Sequence, residues 1–257
     1  MIKVVKIGGN VIDNEAALAQ FVVDFAALEG PKILVHGGGK LATRLAEKLE
    51  IPTTMIDGRR VTDAQTLDVV TMVYAGLVNK GVVAKLQAAG CNAIGLSGAD
   101  GGVIQATRRP AKPIDFGFVG DIAVEGVDAD FILSLTERGI VPVFCSIMHD
   151  GAGVLLNCNA DSVASAVAVA VAQKVDTELV FCFEKQGVMA DIDDPNSVIA
   201  QIRPDSYKTL LADGVVNKGM IPKIDGAFKA LESGVKVVTI KHSEALTSPE
   251  SGTKIML

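Results

Sequence analysis

Ile2-Lys3-Val4-Val5-Lys6-Ile7-Gly8-Gly9-Asn10 decides the fold. Its first six residues are mostly β-branched and read as a strand, and the glycine pair behind them reads as a turn. From Asn14, a good N-cap, apolar residues recur at Leu18, Phe21, Val22, Phe25 and Leu28, a helical spacing that Gly30 and Pro31 stop. Residues 32–36 return as a buried strand, and Gly37, Gly38 and Gly39 turn into a helix through about residue 49.

The same alternation continues along the chain. Residues 62–87 predict a helix-rich stretch with a break near Lys80 and Gly81, and 92–97 a strand. Residues 103–107 and 116–124 read as antiparallel strands around a turn-rich loop at 108–115. A helix at 128–138 and strands at 140–145 and 154–157 follow. The Ala/Val alternation at 166–172 suits a strand by period, but its length, its alanines and the preceding Asn159 and Asp161 favour a buried helix. Strands at 178–183, 236–241 and 253–256, with helices at 204–212 and 219–233, complete the pattern. Such alternation predicts an α/β fold, a three-layer α/β/α sandwich with a mostly parallel central sheet, whose ligands bind beyond the carboxyl ends of the strands. Within one domain of residues 1–257, the best internal boundary lies near Val175.

Composition narrows the function. With 49% hydrophobic residues, nine Phe, two Tyr and no Trp, the core is aliphatic. A net charge of −6 argues against nucleic acid as a partner. Cys91, Cys145, Cys158 and Cys182 are scattered and form no CxxC pair, so zinc and redox readings have little support. The N-terminus has no secretory pattern, and the most apolar stretch, 163–172, is too short to span a bilayer. These features predict a cytoplasmic protein.

Glycine turns before helices at Gly8 and Gly9, at 37–39 and at 98–102 point backbone N–H groups into the crevice and suit anions. Gly37, Gly39 and Ala42, with Asp57 some way on, also fit a dinucleotide fingerprint in outline, so an NAD-dependent enzyme is a rival on this motif. No P-loop pattern occurs. Lys6 sits at a strand's carboxyl end beside a glycine turn, which suits phosphate as well as it suits a snorkelling surface lysine. Lys223, near a helix start, calls for a compensating anion, and Asp161 is either such an anion or a simple N-cap. His36, His149 and His242 show neither triad nor metal spacing and read as structural or surface residues. A scarcity of general bases fits a carboxylate acceptor, which is already ionised at neutral pH and needs cations rather than a base.

Together these pieces resemble the amino-acid kinase family (a carbamate kinase-like fold), and within it the N-acetylglutamate kinases, along almost the whole chain. Lys6 to Gly9 resembles the family's first lysine and glycine pair, and His36 to Gly39 its glycine triple. Asp57 to Thr62 is similar to its NGxRVT segment, and Asn157 to Asp161 to its NxNAD run. Gly219 to Lys223 matches its GMxxK, and Gly252 to Ile255 its terminal GTxI. A dinucleotide enzyme does not account for the last three.

The resemblance implies transfer of the γ-phosphoryl of ATP, bound with Mg2+, to the side-chain carboxylate of N-acetyl-L-glutamate or N-succinyl-L-glutamate in arginine biosynthesis. It implies that Lys6 and Lys223 stabilise the moving phosphoryl group and that Asp161 holds both lysines. Gly8, Gly9 and Gly38 offer N–H groups to phosphate, while Gly38, Gly39, Arg60, Asn157 and Asn159 hold the acid. The nucleotide lies over a lobe of residues 176–257, near Glu184, Gly187 and Asn217, and the acid over 1–175; no protein metal ligand is implied. It further implies a homodimer, insensitive to arginine because the first strand begins at Ile2. Glu184 and Gln186 depart from the Asp and Ser common in the family, and 108–115 is unusual for it. A kinase for carbamate, aspartate or glutamate, or a non-catalytic ligand-binding member, are the alternatives; retention of both lysines and Asp161 weighs against the last.

Overall fold

The computed structural model describes every residue except 57, 192, 195 and 217–219. In chain order the elements begin with β1 (Ile2–Ile7), α1 (Gly9–Asp13), α2 (Glu15–Ala27), β2 (Lys32–His36), α3 (Gly39–Lys48), β3 (Met55–Ile56), β4 (Arg59–Arg60), α4 (Ala64–Thr71), a π-helical stretch (Met72–Val78) and α5 (Asn79–Ala88). Next come β5 (Ala93–Leu96), β6 (Thr107–Arg108), β7 (Gly120–Asp121), α6 (Ala129–Glu137), β8 (Val141–Phe144), β9 (Ile147–His149), β10 (Leu155–Asn157) and α7 (Ala160–Ala172). The remainder is β11 (Thr177–Phe183), β12 (Gln201–Ile202), α8 (Pro204–Ala212), α9 (Ile221–Glu232), β13 (Val237–His242) and β14 (Thr253–Ile255).

Among the described residues eight strands form the central sheet in the order β12-β14-β13-β11-β1-β2-β8-β5, parallel except where β13 meets β14. β1 lies between β2 and β11, so residues on both sides of the expected boundary near Val175 share one sheet. Successive residues of a strand point to opposite faces, and both faces are covered. Val4, Ile33, Val35, Leu179 and Phe181 pack on one side with α6, α7 and α9. Val5, Leu34, Val180 and Cys182 pack on the other with α2, α3, α4 and α5. Lys6 therefore leaves the sheet on the Val4 side, toward α7.

Short polar caps start the helices where the sequence places them. Asn14, Asp63 and Asp128 each accept a backbone N–H three residues on, at 2.8–3.1 Å. The expected break at Lys80 and Gly81 is absent. Helical structure continues to Ala88, and the irregularity falls earlier, in the π stretch that carries Tyr74. One mid-helix glycine costs only about 1 kcal/mol, which packing of α5 on β5 and α2 offsets. The run 64–88 is also long and apolar enough, by length and composition alone, to cross a membrane, which the expectation for 163–172 missed. It carries Asp68, Lys80 and Lys85 and forms part of the helical layer over the sheet.

The expected antiparallel pair at 103–107 and 116–124 shrinks to Thr107–Arg108 against Gly120–Asp121. Phe116 and Phe118 instead bond to Thr62, which donates its N–H to Phe116 O at 2.8 Å and accepts from Phe118 N at 2.6 Å. Gly117 permits this approach with a positive φ of 73°; a Cβ there would lie 2.1 Å from Thr62 O. The β3–β4 hairpin, β9 and β12 have too few residues to give a periodic signal.

Candidate active site

Lys6, Asp161 and Lys223 come from three separate elements and meet at the carboxyl end of β1. Lys6 Nζ lies 2.7 Å from Asp161 Oδ1, and Lys223 Nζ 2.5 Å from Asp161 Oδ2. Asp161 is not the N-cap of α7: Asn159 is, its Oδ1 accepting from the N–H groups of Asp161 and Ser162 at 2.8 and 3.2 Å. Capping by Asn159 leaves both Asp161 oxygens for the lysines. Burial alone pushes the Asp161 carboxyl up, but the charges and hydrogen bonds of Lys6 and Lys223 outweigh it and hold the group at about 2. Lys223, in the first turn of α9, obtains there the anion that its unfavourable place at a helix N-terminus calls for.

Beside this triad is a cavity of about 190 Å³ whose lining includes Gly38, Gly39, Arg60, Asn157 and Asn159. The structure thus brings the five expected acid-binding residues together. Arg60 is buried and donates to Gly39 O at 2.9 Å, Thr43 Oγ1 at 2.8 Å and Thr53 Oγ1 at 3.3 Å, all uncharged partners, so among the described residues no carboxylate pairs with it. Asn157 is fixed by donating to Thr62 Oγ1 at 3.0 Å. Gly38 is required by sterics, since a Cβ there would come within 2.9 Å of the Tyr74 ring. An adjoining cavity of about 720 Å³ is lined by Asp161 and Lys223 and shares Gly58, Arg59 and Asn159 with the smaller one.

The expected nucleotide-side residues are less gathered. Gly8 spends its N–H on Cys182 O at 2.9 Å, a correction to the expectation that it faces phosphate, because the parallel pairing of β1 and β11 continues one residue past the strand. Gly9 starts α1, where N–H groups lack intrahelical acceptors. Glu184 is exposed just past β11, whereas Gly187 is buried, where a Cβ would lie 2.7 Å from Thr253 Oγ1. Asn217, and with it Gly219 and Asp57 of the sequence motifs, lies outside the described residues.

His36 is buried, as expected of a structural residue. Its Nδ1 donates to Gly37 O at 2.8 Å and its Nε2 accepts from Asn79 Nδ2 at 3.0 Å, while burial draws its pKa down to about 4. His149 lies in β9, not in the expected turn, because residues 147–149 pair with β10. All four cysteines are free and buried. Among the described residues no group of three His, Cys, Asp or Glu is placed to hold a metal ion. Sequence reasoning missed Arg59, Tyr74 and Ser146, which line the smaller cavity. Arg59 stood beside the noted Arg60, but the sequence gives no sign of which of two adjacent arginines faces a cavity.

Residues 1–242 match the model of the amino acid kinase family. A Phocaeicola vulgatus protein named acetylglutamate kinase is 51% identical over 98% of this chain and 97% of its own length. One of the same name from Cytophaga hutchinsonii is 52% identical over 95% and 92%. Among solved structures, smu.665 from Streptococcus mutans UA159 superposes with a TM-score of 0.79 at 29% identity, over 99% of this chain and 98% of that one. Giardia carbamate kinase shares the fold, with a TM-score of 0.70 at 13% identity over 99% and 98%.

Proposed function

The chain belongs to the amino acid kinase family, and from that premise we propose that it transfers the γ-phosphoryl group of ATP to the side-chain carboxylate of an N-acylated glutamate, the acyl-phosphate step of arginine biosynthesis. The observation that carries this reading is the pair of lysines on one carboxylate, Lys6 and Lys223 on Asp161, opening beside a cavity that holds Arg60 and Asn157. Relatives named acetylglutamate kinase make N-acetyl-L-glutamate the reference acid, with N-succinyl-L-glutamate as the other acylated form.

In this mechanism a carboxylate oxygen of the acid bonds to the γ-phosphorus as the bond from that phosphorus to the β–γ bridging oxygen breaks. The electron pair leaves with ADP. No proton moves, because the acceptor is ionised at neutral pH. What opposes the step is repulsion between two anions, and positioned cations lower that barrier. Lys6 and Lys223 supply the charge, and Asp161 fixes their positions without itself touching the phosphoryl group. Arg60 holds a carboxylate of the acid, with Asn157, Asn159, Gly38 and Gly39 around it. A magnesium ion bound with the nucleotide would neutralise phosphate charge; both Asp161 oxygens are engaged by lysines, which leaves that carboxylate to the cations of the chain.

The nucleotide is assigned to the 176–257 side, with Gly9 and Glu184 nearby, and the acid to the 1–175 side. Met72 and Leu77, 52% and 65% exposed on the helical run 64–88, give that layer an apolar flank suited to a second copy in a homodimer. A cytoplasmic location accords with a biosynthetic kinase of this kind.

ADP release with N-acetylglutamate, N-succinylglutamate, free glutamate, aspartate and carbamate, with hydroxylamine trapping of the acyl phosphate, tests the reading. Turnover confined to an acylated glutamate and lost in Lys6→Ala and Lys223→Ala is expected. Turnover only with another acid moves the assignment to that acid, and ATP binding with no turnover at all moves it to a non-catalytic ligand binder.

A further inference from the structure

The helical run 64–88 buries its residues at uneven steps. Val69 with Val70, Val73 with Tyr74, Val78 with Asn79, then Val82 and Leu86 face inward. From the second pair to the third the step is five residues, where the others are four. An α-helix, at about 3.6 residues per turn, puts residues five apart about 140° around its axis, so it would turn Leu77 inward and carry Asn79 away. Leu77 is instead 65% exposed and Asn79 is buried. The π stretch makes the difference: the N–H of Asn79 donates to Tyr74 O, five residues back. Apolar burial alone does not call for this, since Leu77 would fill the inward position as well as Val78 does.

What the extra residue achieves lies at one glycine turn. Tyr74 is buried against it, with ring atoms 2.9 and 3.2 Å from where a Cβ on Gly38 would stand. Its hydroxyl feels the Arg60 guanidinium by charge and hydrogen bond. Asn79 reaches the same turn through His36. Asn79 Nδ2 donates to His36 Nε2 at 3.0 Å and to Val143 O at 2.9 Å, and His36 Nδ1 donates to Gly37 O at 2.8 Å. Two side chains five positions apart thus hold successive glycines. Gly37, Gly38, Gly39 and Tyr74 line the smaller cavity together with Arg60 and Asn157. A helix with four-residue steps throughout presents one of the two side chains to the turn, not both.

We propose that the π turn is a positioning device for the acid cavity, in which Tyr74 holds Gly38 and Asn79, through His36, holds Gly37, so that the glycine turn meets the acid in one fixed shape. This rests on the kinase reading above. Deletion of Leu77 takes one residue out of the π turn and lets the run close as an α-helix. The test measures thermal melts, kcat, and KM for ATP and for the better of N-acetylglutamate and N-succinylglutamate. It compares the wild type with the Leu77 deletion, Tyr74→Leu, Tyr74→Phe and Asn79→Ala. The deletion, Tyr74→Leu and Asn79→Ala are each expected to raise KM for the acid about tenfold or more, with KM for ATP within about twofold of wild type. Tyr74→Phe, which keeps the ring, is expected to recover most of the Tyr74→Leu loss. If the deletion does not fold, the point variants decide. A lowered Tm with an unchanged KM for the acid in Tyr74→Leu and Asn79→Ala overturns the proposal and leaves the turn a packing feature. An equal rise in both KM values overturns it too, because the acid cavity is then not the part affected. No turnover of any acid by the wild type overturns the kinase reading and this assignment with it, and that result shows before any variant is compared.

Discussion

Lys223 Nζ reaches Asp161 Oδ2 at 2.5 Å across 62 positions of sequence. The contact joins the first turns of α7 and α9, two helices that pack on the same face of the sheet. It ties a lysine from the last third of the chain to the end of the first strand, since Lys6 holds the other oxygen of the same carboxylate. Asp161 is thus a positioning residue. Asp161→Asn keeps the shape and removes the charge that fixes two ammonium groups. Its kcat is expected to fall about 100-fold, with KM for the acid changed far less, because the loss is felt where charge develops in the transition state. Coupled ADP release measures this, and a wild-type kcat in Asp161→Asn sinks the positioning role.

Removing either lysine acts on the charge itself. Lys6→Met and Lys223→Met are each expected to lower kcat by roughly 100-fold or more while leaving the fold intact, since both side chains are partly exposed and neither fills the core. If the lysines work as one unit, the double variant is expected to be little worse than the slower single one. Single-turnover phosphoryl transfer separates this from a binding defect, and fully additive losses would argue that the two act on different steps.

Gly38 meets Tyr74 at the floor of the smaller cavity, so Gly38→Ala has to move either the glycine turn or the ring. Overpacking of this kind costs about 1–3 kcal/mol. The expected result is a lowered Tm together with KM for the acid raised about tenfold, because the displaced turn carries the cavity wall. Gly38→Ala combined with Tyr74→Leu, which removes the clashing ring edge, is expected to recover much of the Tm. Equal melting curves for Gly38→Ala and wild type sink the steric account.

Much of the frame was legible because it depends on local period. β1 and β13 are rich in β-branched residues, β2 and β11 are short apolar runs, and α2 and α7 start at Asn14 and Asn159, whose side chains cap them. The lysine–carboxylate group was legible only through the order of motifs, since nothing local to Asp161 distinguishes an anion for lysines from an N-cap. What stayed hidden depends on partners remote in sequence. The fate of the Gly8 N–H is decided by Cys182, and the bending of 116–118 by Thr62. Arg59 and Arg60 form adjacent steps of one short strand, and the packing of Gly39, Thr43 and Thr53 around Arg60 sets the two side chains apart.

Stability is expected to fall on acidification in two windows, and the sign is the same in each. His36 is buried neutral, with its pKa drawn from 6.5 to about 4 by desolvation. The unfolded chain then binds the proton that the folded one refuses, so this contribution is whole above pH 6.5 and is lost as pH falls toward about 4. For a shift of that size the loss is roughly 3 kcal/mol. Asp161 adds a second, lower window: its carboxyl, held at about 2 instead of 3.8, gives stability that is present above 3.8 and disappears as pH falls through about 2. Urea unfolding from pH 7.5 to 4 isolates the first window. The wild type is expected to lose stability steadily below pH 6.5, and His36→Gln, which has nothing to protonate there, is expected to show a flatter profile from a lower starting point. A wild-type midpoint that stays constant from pH 6.5 to 4 would mean that the Asn79 and Gly37 contacts accommodate the imidazolium, and the buried-neutral account of His36 would then fail.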